Sequence, residues 1–214
     1  IGMIPRGEVG IIFASIGLAE GIFGDDQYAA LLIVILVTTL MTPPLLRWRV
    51  ARLRVADAAV GAAVDYLLGD ARRHGKLDIV ESAPPAQGSG YIVLAMGKMG
   101  AGELNYSSDI DLIVFYDPAA PSPGTEPAQF YVRLTRRLVK LLQERTVDGY
   151  VFRTDLRLRP DPASTQIAVS TAAALDYYES RGQNWERAAL IKARPCAGDI
   201  AAGEALLAEL SPFI

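Results

Sequence analysis

Cysteine and histidine are almost absent from this sequence of 214 residues, which contains one of each. The single cysteine, Cys196, excludes an intramolecular disulfide, and we interpret it as a small buried apolar side chain. The single histidine, His74, lies in a polar stretch and is interpreted as a solvated helix end. Catalytic triads based on histidine and multi-histidine zinc sites are therefore excluded. The lack of disulfides fits a reducing cytosol, so we expect a cytoplasmic location.

Net charge is also small, formally -3. Nucleic-acid binding leaves a strongly basic surface, so no nucleic-acid partner is expected, whereas a few local arginines and lysines suffice for the phosphates of a nucleotide. No basic segment precedes the first apolar stretch, and no signal peptide is predicted. The chain begins with Ile1 rather than methionine, and we expect it to be a fragment.

Charge is scarcest in residues 1–46, which contain one basic and four acidic side chains, whereas the other 168 residues contain 20 of each. Residues 27–46 carry no charge at all. As a helix rising about 1.5 Å per residue, this run spans roughly 30 Å, the thickness of bilayer hydrocarbon. We predict a transmembrane helix that Pro43 and Pro44 bend or end, with Arg47, Trp48 and Arg49 at its cytosolic boundary. A buried core helix is the alternative.

Two segments of this first part are distinctive, GMIPRGEV at 2–9 and TTLMTPPLL at 38–46. They resemble the C-terminal end of the membrane domain of Kef-type cation/proton antiporters. In that family Arg6 and Glu8 could serve transport. One or two helices cannot line a polar pathway, because intramembrane charges need partner helices, so we predict no transport activity.

The candidate chemistry lies further along the chain. The apolar run 91–96 predicts a buried strand, a glycine-rich loop follows at 97–102, and a second strand begins at Asp109 and Asp111. Alternation on a strand places both carboxylates on one face, where they repel each other unless a cation lies between them. Oxygen ligands favour Mg²⁺ or Mn²⁺ over zinc, and glycines let the main chain approach a phosphate. This order is typical of polymerase-beta-like nucleotidyltransferases, although an Asp-x-Asp pair alone could be two solvated surface acids.

The segment 150–160 also alternates, and it predicts a strand with Asp155, Arg157 and Arg159 on one face. An acid between arginines, close to an aspartate pair, indicates a third metal ligand beside guanidinium groups that bind phosphate. A surface ladder of salt bridges is the alternative.

Four motifs together are more specific: GKMG at 97–100, ELNYSSDIDL at 103–112, DLRLRP at 155–160 and QNWERAALIKARP at 183–195. They resemble the glutamine synthetase adenylyltransferase family over about residues 52–214. The stretches 148–153 and 160–165 are similar to the N-terminal of that family's two nucleotidyltransferase halves. That half removes AMP from a modified tyrosine of glutamine synthetase by phosphorolysis and releases ADP. The half that attaches AMP using ATP has no counterpart here.

The resemblance implies that Asp109 and Asp111 bind two Mg²⁺ ions, and that Asp155 binds one of them and orients the attacking oxygen. It also implies a set of residues that bind nucleotide or phosphate: Gly97, Lys98, Ser107, Ser108, Arg157, Arg159, Lys192 and Arg194. The implied partners are glutamine synthetase, orthophosphate, an adenine nucleotide and, in the full-length family, a nitrogen-regulatory signalling protein. The family's role is to regulate nitrogen assimilation.

The expected fold is α+β and polymerase-beta-like, a mixed sheet with flanking helices. We divide the chain into an antiporter-like membrane segment at 1–46, a helical connector and linker at 47–90, a nucleotidyltransferase core at 91–182 and a truncated helical region at 183–214. Helices are predicted at 56–68, 130–142, 172–178 and 203–210, and from about 184 through Lys192 and Arg194. Two alternatives stay open, an unrelated small-molecule nucleotidyltransferase and an antiporter remnant with an inactive cytosolic tail.

Overall fold

A computed structural model gives the fold of the chain. It describes residues 7–77, 83–105, 107–120 and 126–214, and of residues 7–10 and 42–52 the backbone alone. The side chains of Arg6, Glu8 and Arg47 to Arg49, to which the sequence analysis assigned roles, lie outside these described residues. The helices and strands in chain order are α1 (Gly7–Ala19), α2 (Asp25–Arg73), β1 (Tyr91–Ala95), α3 (Gly97–Gly100), β2 (Ile110–Tyr116), α4 (Pro127–Gln143), β3 (Thr154–Asp155), β4 (Val169–Ser170), α5 (Thr171–Ser180), α6 (Asn184–Leu190), β5 (Arg194–Gly198) and α7 (Ile200–Leu210).

The chain divides into two compact units, residues 1–51 and residues 52–214. Helix α2 contains the apolar run 27–46 and continues through Pro43 and Pro44. These prolines were predicted to bend or end the helix, and the second alternative is wrong. Proline removes a donor and its ring crowds the carbonyl four residues earlier, but its fixed φ is close to the helical value, so a helix can pass through it at a cost of about 3 kcal/mol. Within the described part of the chain, no helix combines the length and the apolar character that crossing a bilayer requires. The predicted transmembrane helix is not confirmed.

The second unit is built on a mixed sheet of order β3-β2-β1-β5. Strand β1 runs antiparallel to both β2 and β5, while β2 pairs in parallel with β3 at one end and with β4 at the other. The expected mixed sheet with flanking helices is confirmed. Strand β5 was not predicted. Because it pairs with β1, the segment assigned to a C-terminal helical region contributes to the sheet.

Both faces of β1 and of β2 after Asp111 are buried, which explains the apolar runs 91–95 and 112–116. Tyr91, Val93 and Ala95 pack in one cluster with the second half of α2 and with α4. Ile92 and Leu94 pack on the other face in a second cluster with α5 and α7. Each fully buried aliphatic side chain contributes about 1.5–3 kcal/mol, so these two layers fix the sheet.

The predicted helices at 56–68, 130–142, 172–178 and 203–210 are confirmed within α2, α4, α5 and α7. The helix predicted from 184 through Arg194 is wrong beyond Leu190, because Arg194 already pairs with Ala95 as the first residue of β5. The strand predicted at 150–160 is also mostly wrong. Only Thr154–Asp155 pairs with another strand, and residues 157–160 form turns and bends. This compact turn is held by the guanidinium of Arg159, which donates hydrogen bonds to three main-chain carbonyls of the same segment.

Candidate active site

The glycine turn after β1 lies against the aspartate of β2. Strand β1 ends at Ala95, and α3 begins two residues later at Gly97. The Met96 N–H donates to the main-chain oxygen of Asp111 at 2.9 Å. Gly97 has φ +52°, and a Cβ atom there would lie 2.5 Å from Oδ2 of Asp111. Only glycine tolerates both the conformation and the contact, so the main chain can lie directly beside this carboxylate.

Strand pairing brings the second and third predicted acids together. In the parallel register of β2 and β3, Asp111 is the partner of Asp155. Paired residues on neighbouring strands point to the same side of a sheet. The electrostatics agree, because burial and then repulsion by Asp155 and Asp109 raise the pKa of Asp111. Asp111 therefore interacts electrostatically with both of the other predicted acids.

Two arginines form ion pairs with Asp109 and Asp155. Arg153 Nε lies 2.6 Å from Oδ1 of Asp109, and its Nη2 donates to the Ser107 carbonyl at 3.0 Å. Asp155 accepts from the main chain of Arg157 at 2.8 Å and from its guanidinium Nη2 at 2.5 Å. The hydrogen bonds from Arg157 lower the pKa of Asp155. Arg153 was not among the predicted site residues, although the alternation that grouped Asp155 with Arg157 extends back to it.

Asp109, Asp111 and Asp155, the predicted metal ligands, all belong to this part of the site. Among the described residues, no three acidic, histidine or cysteine side chains stand close enough together to hold a metal ion as they are arranged. The donor chemistry nevertheless fits, because Asp111 and the two acids that repel it offer only oxygen ligands, the kind that Mg²⁺ prefers. Arg153 and Arg157 now satisfy two of them, so a metal would have to replace these arginines.

The remaining predicted residues divide into two groups. Lys98 is close enough to Asp111 for its charge to favour the ionised carboxylate, and Ser107 and Ser108 directly precede Asp109. Arg159 makes different contacts. Its Nη1 donates to Leu156 O at 2.8 Å, and its Nη2 to the carbonyls of Pro162 and Thr165 at 2.9 and 3.4 Å. A phosphate-binding role for Arg159 stays a prediction without support from these contacts.

Lys192 and Arg194 are placed beside α3. Lys192 Nζ lies 3.8 Å from Glu103 Oε2. Arg194 Nη2 donates to both carboxylate oxygens of Asp57, at 2.8 and 3.0 Å, and lies 3.3 Å from the Met99 carbonyl. Neither residue is among the charges that shift the pKa of Asp111. Their predicted direct contact with phosphate likewise stays a prediction.

Comparison with known proteins adds independent information. Residues 47–209 match the family model of glutamate-ammonia ligase adenylyltransferase, and residues 1–49 match that of the sodium/hydrogen exchanger transmembrane region. A bifunctional glutamine synthetase adenylyltransferase/adenylyl-removing enzyme of Bradyrhizobium sp. (strain ORS 278) is 62% identical over 173 residues, 80% of this chain and 18% of the relative. The proteins of the same name from Rhizobium meliloti (strain 1021) and Xanthobacter autotrophicus (strain ATCC BAA-1158 / Py2) are 61% and 62% identical. They align over 74% and 75% of this chain, respectively, and over 16% of their own lengths.

The chain thus spans less than a fifth of the length of these relatives. The family match, however, covers well over half of the chain and includes every residue of the candidate site. The four motifs that suggested the same family lie within the matched region. The chain therefore belongs to the glutamate-ammonia ligase adenylyltransferase family.

Proposed function

We propose that residues 52–214 form an adenylyl-removing nucleotidyltransferase domain with the polymerase-beta-like fold. Its substrate would be the adenylylated tyrosine of glutamine synthetase, and its second substrate orthophosphate. The observation that carries the proposal is the β2–β3 register, in which Asp111 is paired with Asp155 while Gly97 lies against Asp111. The names of the relatives support the choice of glutamine synthetase as the protein substrate.

The reaction is a displacement at phosphorus. An oxygen of orthophosphate forms a bond to the AMP phosphorus, the bond to the tyrosine oxygen breaks, and ADP leaves while the phenolate takes up a proton. Attacking and leaving oxygens both carry negative charge, so positioning and electrostatic stabilisation supply most of the catalysis. A glycine turn whose main chain comes close to the acids suits the positioning of a phosphoryl group.

We assign Asp109, Asp111 and Asp155 as ligands of two Mg²⁺ ions, with Mn²⁺ as an alternative. Bound ions of this kind neutralise charge on the phosphoryl oxygens and on the leaving oxygen. Asp155 also orients the attacking oxygen. Arg153 and Arg157 lie beside these ligands, and once the acids bind a cation their guanidinium groups can hold the orthophosphate.

Release of ADP from adenylylated glutamine synthetase and orthophosphate, with and without Mg²⁺, tests this function. We expect ADP only when Mg²⁺ is present. Asp109→Asn should reduce the rate about 100-fold or more while the circular dichroism spectrum stays unchanged. The matched control is Asp148→Asn, since Asp148 is an exposed aspartate outside the site. Near-normal turnover of Asp109→Asn would refute the metal role, and no ADP from the unaltered chain would refute the function.

A protein substrate and a small-molecule substrate can be told apart by a second assay. An unrelated small-molecule nucleotidyltransferase would share the aspartate pair but lack the DLRLRP and QNWERAALIKARP motifs, both of which lie within the family match. Release of ADP from free adenylyl-tyrosine as fast as from adenylylated glutamine synthetase would favour that class. A clear preference for the intact protein would support the assignment made here.

A second candidate concerns the first unit, which we propose attaches the chain to a lipid surface. Large apolar side chains of α1 and α2 are exposed, among them Phe13 at 69% and Leu40 at 65%, and this region matches the exchanger family. Flotation with phosphatidylcholine vesicles tests the proposal. Recovery of residues 1–214 but not 52–214 with the vesicles is expected, and equal recovery of both would contradict it.

A further inference from the structure

Arg194 forms a partly buried ion pair with Asp57 that also reaches the glycine turn. Its Nη2 donates to Asp57 Oδ1 at 2.8 Å and Oδ2 at 3.0 Å, and lies 3.3 Å from the carbonyl oxygen of Met99. The two side chains are only 32% and 31% exposed. Asp57 lies on α2, Arg194 begins β5 and Met99 belongs to α3, so one guanidinium joins three elements of the second unit.

A backbone contact links the same elements. A Cβ atom at Gly100 would collide with the carbonyl oxygen of Lys192, and would lie 2.6 Å from that of Ala95. The main chain of α3 therefore lies directly on the segment that leads into β5. Met99 itself is fully buried. The position of α3 thus depends on the segment 192–194 through both a side chain and the main chain.

The position of α3 matters because its first residue lies against the acids. Gly97 is in contact with Asp111, and Met96 is hydrogen-bonded to the main chain of Asp111. A shift of α3 would move Gly97 and Lys98 relative to that carboxylate. The hydrogen bonds of Arg194 go to Asp57 and to Met99 of α3, so its link to Asp111 runs through α3.

From this arrangement we infer that Asp57 and Arg194 are positioning residues for nucleotide binding, which hold α3 through the Asp57–Arg194–Met99 contacts. The inference rests on the proposed nucleotidyltransferase function and deepens it. It assigns Asp57 a part in the site, and it replaces direct phosphate contact by Arg194 with an indirect role. Because the pair acts as a unit, loss of either member should have the same consequence.

The test compares Asp57→Asn, Arg194→Gln and the double variant in two measurements, the Kd of a fluorescent ADP analogue and the KM and kcat of phosphorolysis. We expect each single variant to weaken ADP binding about 10-fold and the double variant to weaken it no further. In each variant, the fold increase in KM should be larger than the fold decrease in kcat. Asp70→Asn is the matched control, because Asp70 is also on α2 and pairs with an arginine, Arg137, at 3.0 Å, away from α3.

Several outcomes would overturn the inference. A large effect of Arg194→Gln with none for Asp57→Asn would make Arg194 a direct phosphate ligand. Additive effects would show that the two residues act separately. Equal effects of Asp57→Asn and Asp70→Asn, or losses that only follow the unfolded fraction in thermal melts, would reduce the pair to a structural role. If the unaltered chain releases no ADP, the proposed function fails, while ADP binding still decides the positioning role.

Discussion

Gly97 and Asp111 are in direct contact, so that even one added carbon at Gly97 would lie 2.5 Å from the aspartate Oδ2. Gly97 begins α3, and Asp111 is the residue of β2 that pairs with Asp155 of β3. The glycine-rich loop and the Asp-x-Asp motif, recognised separately in the sequence, therefore form one surface. This contact explains why a glycine rather than any small residue stands at the start of α3.

Gly97→Ala tests that contact. Alanine would be strained at φ +52° and would press on Asp111, so we expect a loss of about 2 kcal/mol in the free energy of unfolding and a marked loss of ADP binding. The matched control is Gly88→Ala. Gly88 has φ +71° but nothing within 4 Å of a Cβ atom, so its variant reports the backbone strain alone. Denaturant unfolding measures the loss of stability in each variant. Equal losses for Gly97→Ala and Gly88→Ala would contradict the proposed contact.

Asp111 is expected to destabilise the folded chain at neutral pH. Its pKa is raised by burial and then by Asp155 and Asp109. A carboxyl group whose pKa is higher in the folded than in the unfolded state opposes folding when ionised, and that penalty disappears as pH falls through the folded-state pKa. Asp111→Asn should therefore raise Tm at pH 7 by roughly 2 °C, a small gain because water still screens this half-buried group.

Thermal melts between pH 7 and pH 4 check this expectation. The advantage of Asp111→Asn should shrink as pH falls toward the ordinary aspartate value of 3.8. A constant advantage would mean that packing rather than charge is responsible. Activity should be lost in the same variant, because a proposed ligand of Mg²⁺ is removed.

Arg159 is expected to stabilise the turn after β3. Its guanidinium donates to the carbonyls of Leu156, Pro162 and Thr165. Arg159→Met keeps the aliphatic bulk but leaves these acceptors without a donor, and should cost about 2 kcal/mol in the free energy of unfolding. Arg145→Met, at an exposed arginine, is the control and should change stability by less than about 0.5 kcal/mol. Unchanged stability with weakened phosphate binding would instead restore Arg159 as a phosphate ligand.

Glu186 should be a second strong contributor to stability. It is 1% exposed, and its Oε2 accepts from the Gln183 N–H at 2.7 Å and from the Tyr177 hydroxyl at 3.2 Å. Glu186→Ala removes the acceptor that caps α6, and we expect a loss of about 2 kcal/mol. The control is the exposed Glu179, whose alanine variant should be nearly neutral. Urea denaturation measures the free energy of unfolding of both variants. A similarly small change in each would contradict the capping role of Glu186.

Much of the site could be predicted from the chain alone because its signals are local. Alternation and apolar runs identified β1 and β2, and the motifs identified Asp109, Asp111 and Asp155 as acids that belong together. Asp57 was not predicted because nothing in its own segment distinguishes it, and the alternation that reaches Arg153 does not show which acid it pairs with. Each becomes significant only through a partner distant in sequence, Ser107 for Arg153 and Arg194 for Asp57.

The strand predicted at 150–160 shows where local patterns fail. Alternating polar and apolar residues are compatible with a strand, but only Thr154 and Asp155 have a strand to pair with. Beyond them, the hydrogen bonds of Arg159 to main-chain carbonyls favour a compact turn. A strand forms only where another segment supplies its hydrogen-bond partners, and the sequence of one segment does not reveal that partner.

By itself, the sequence determined the two-part organisation, the buried strands and the acidic and glycine motifs, because residue type and periodicity follow directly from the chain. Tertiary structure decided which arginines neutralise Asp109 and Asp155, that β5 joins β1, and that Arg194 contacts Asp57 and the glycine turn. These outcomes depend on distances between segments far apart in the chain, and only the packing of the elements sets such distances.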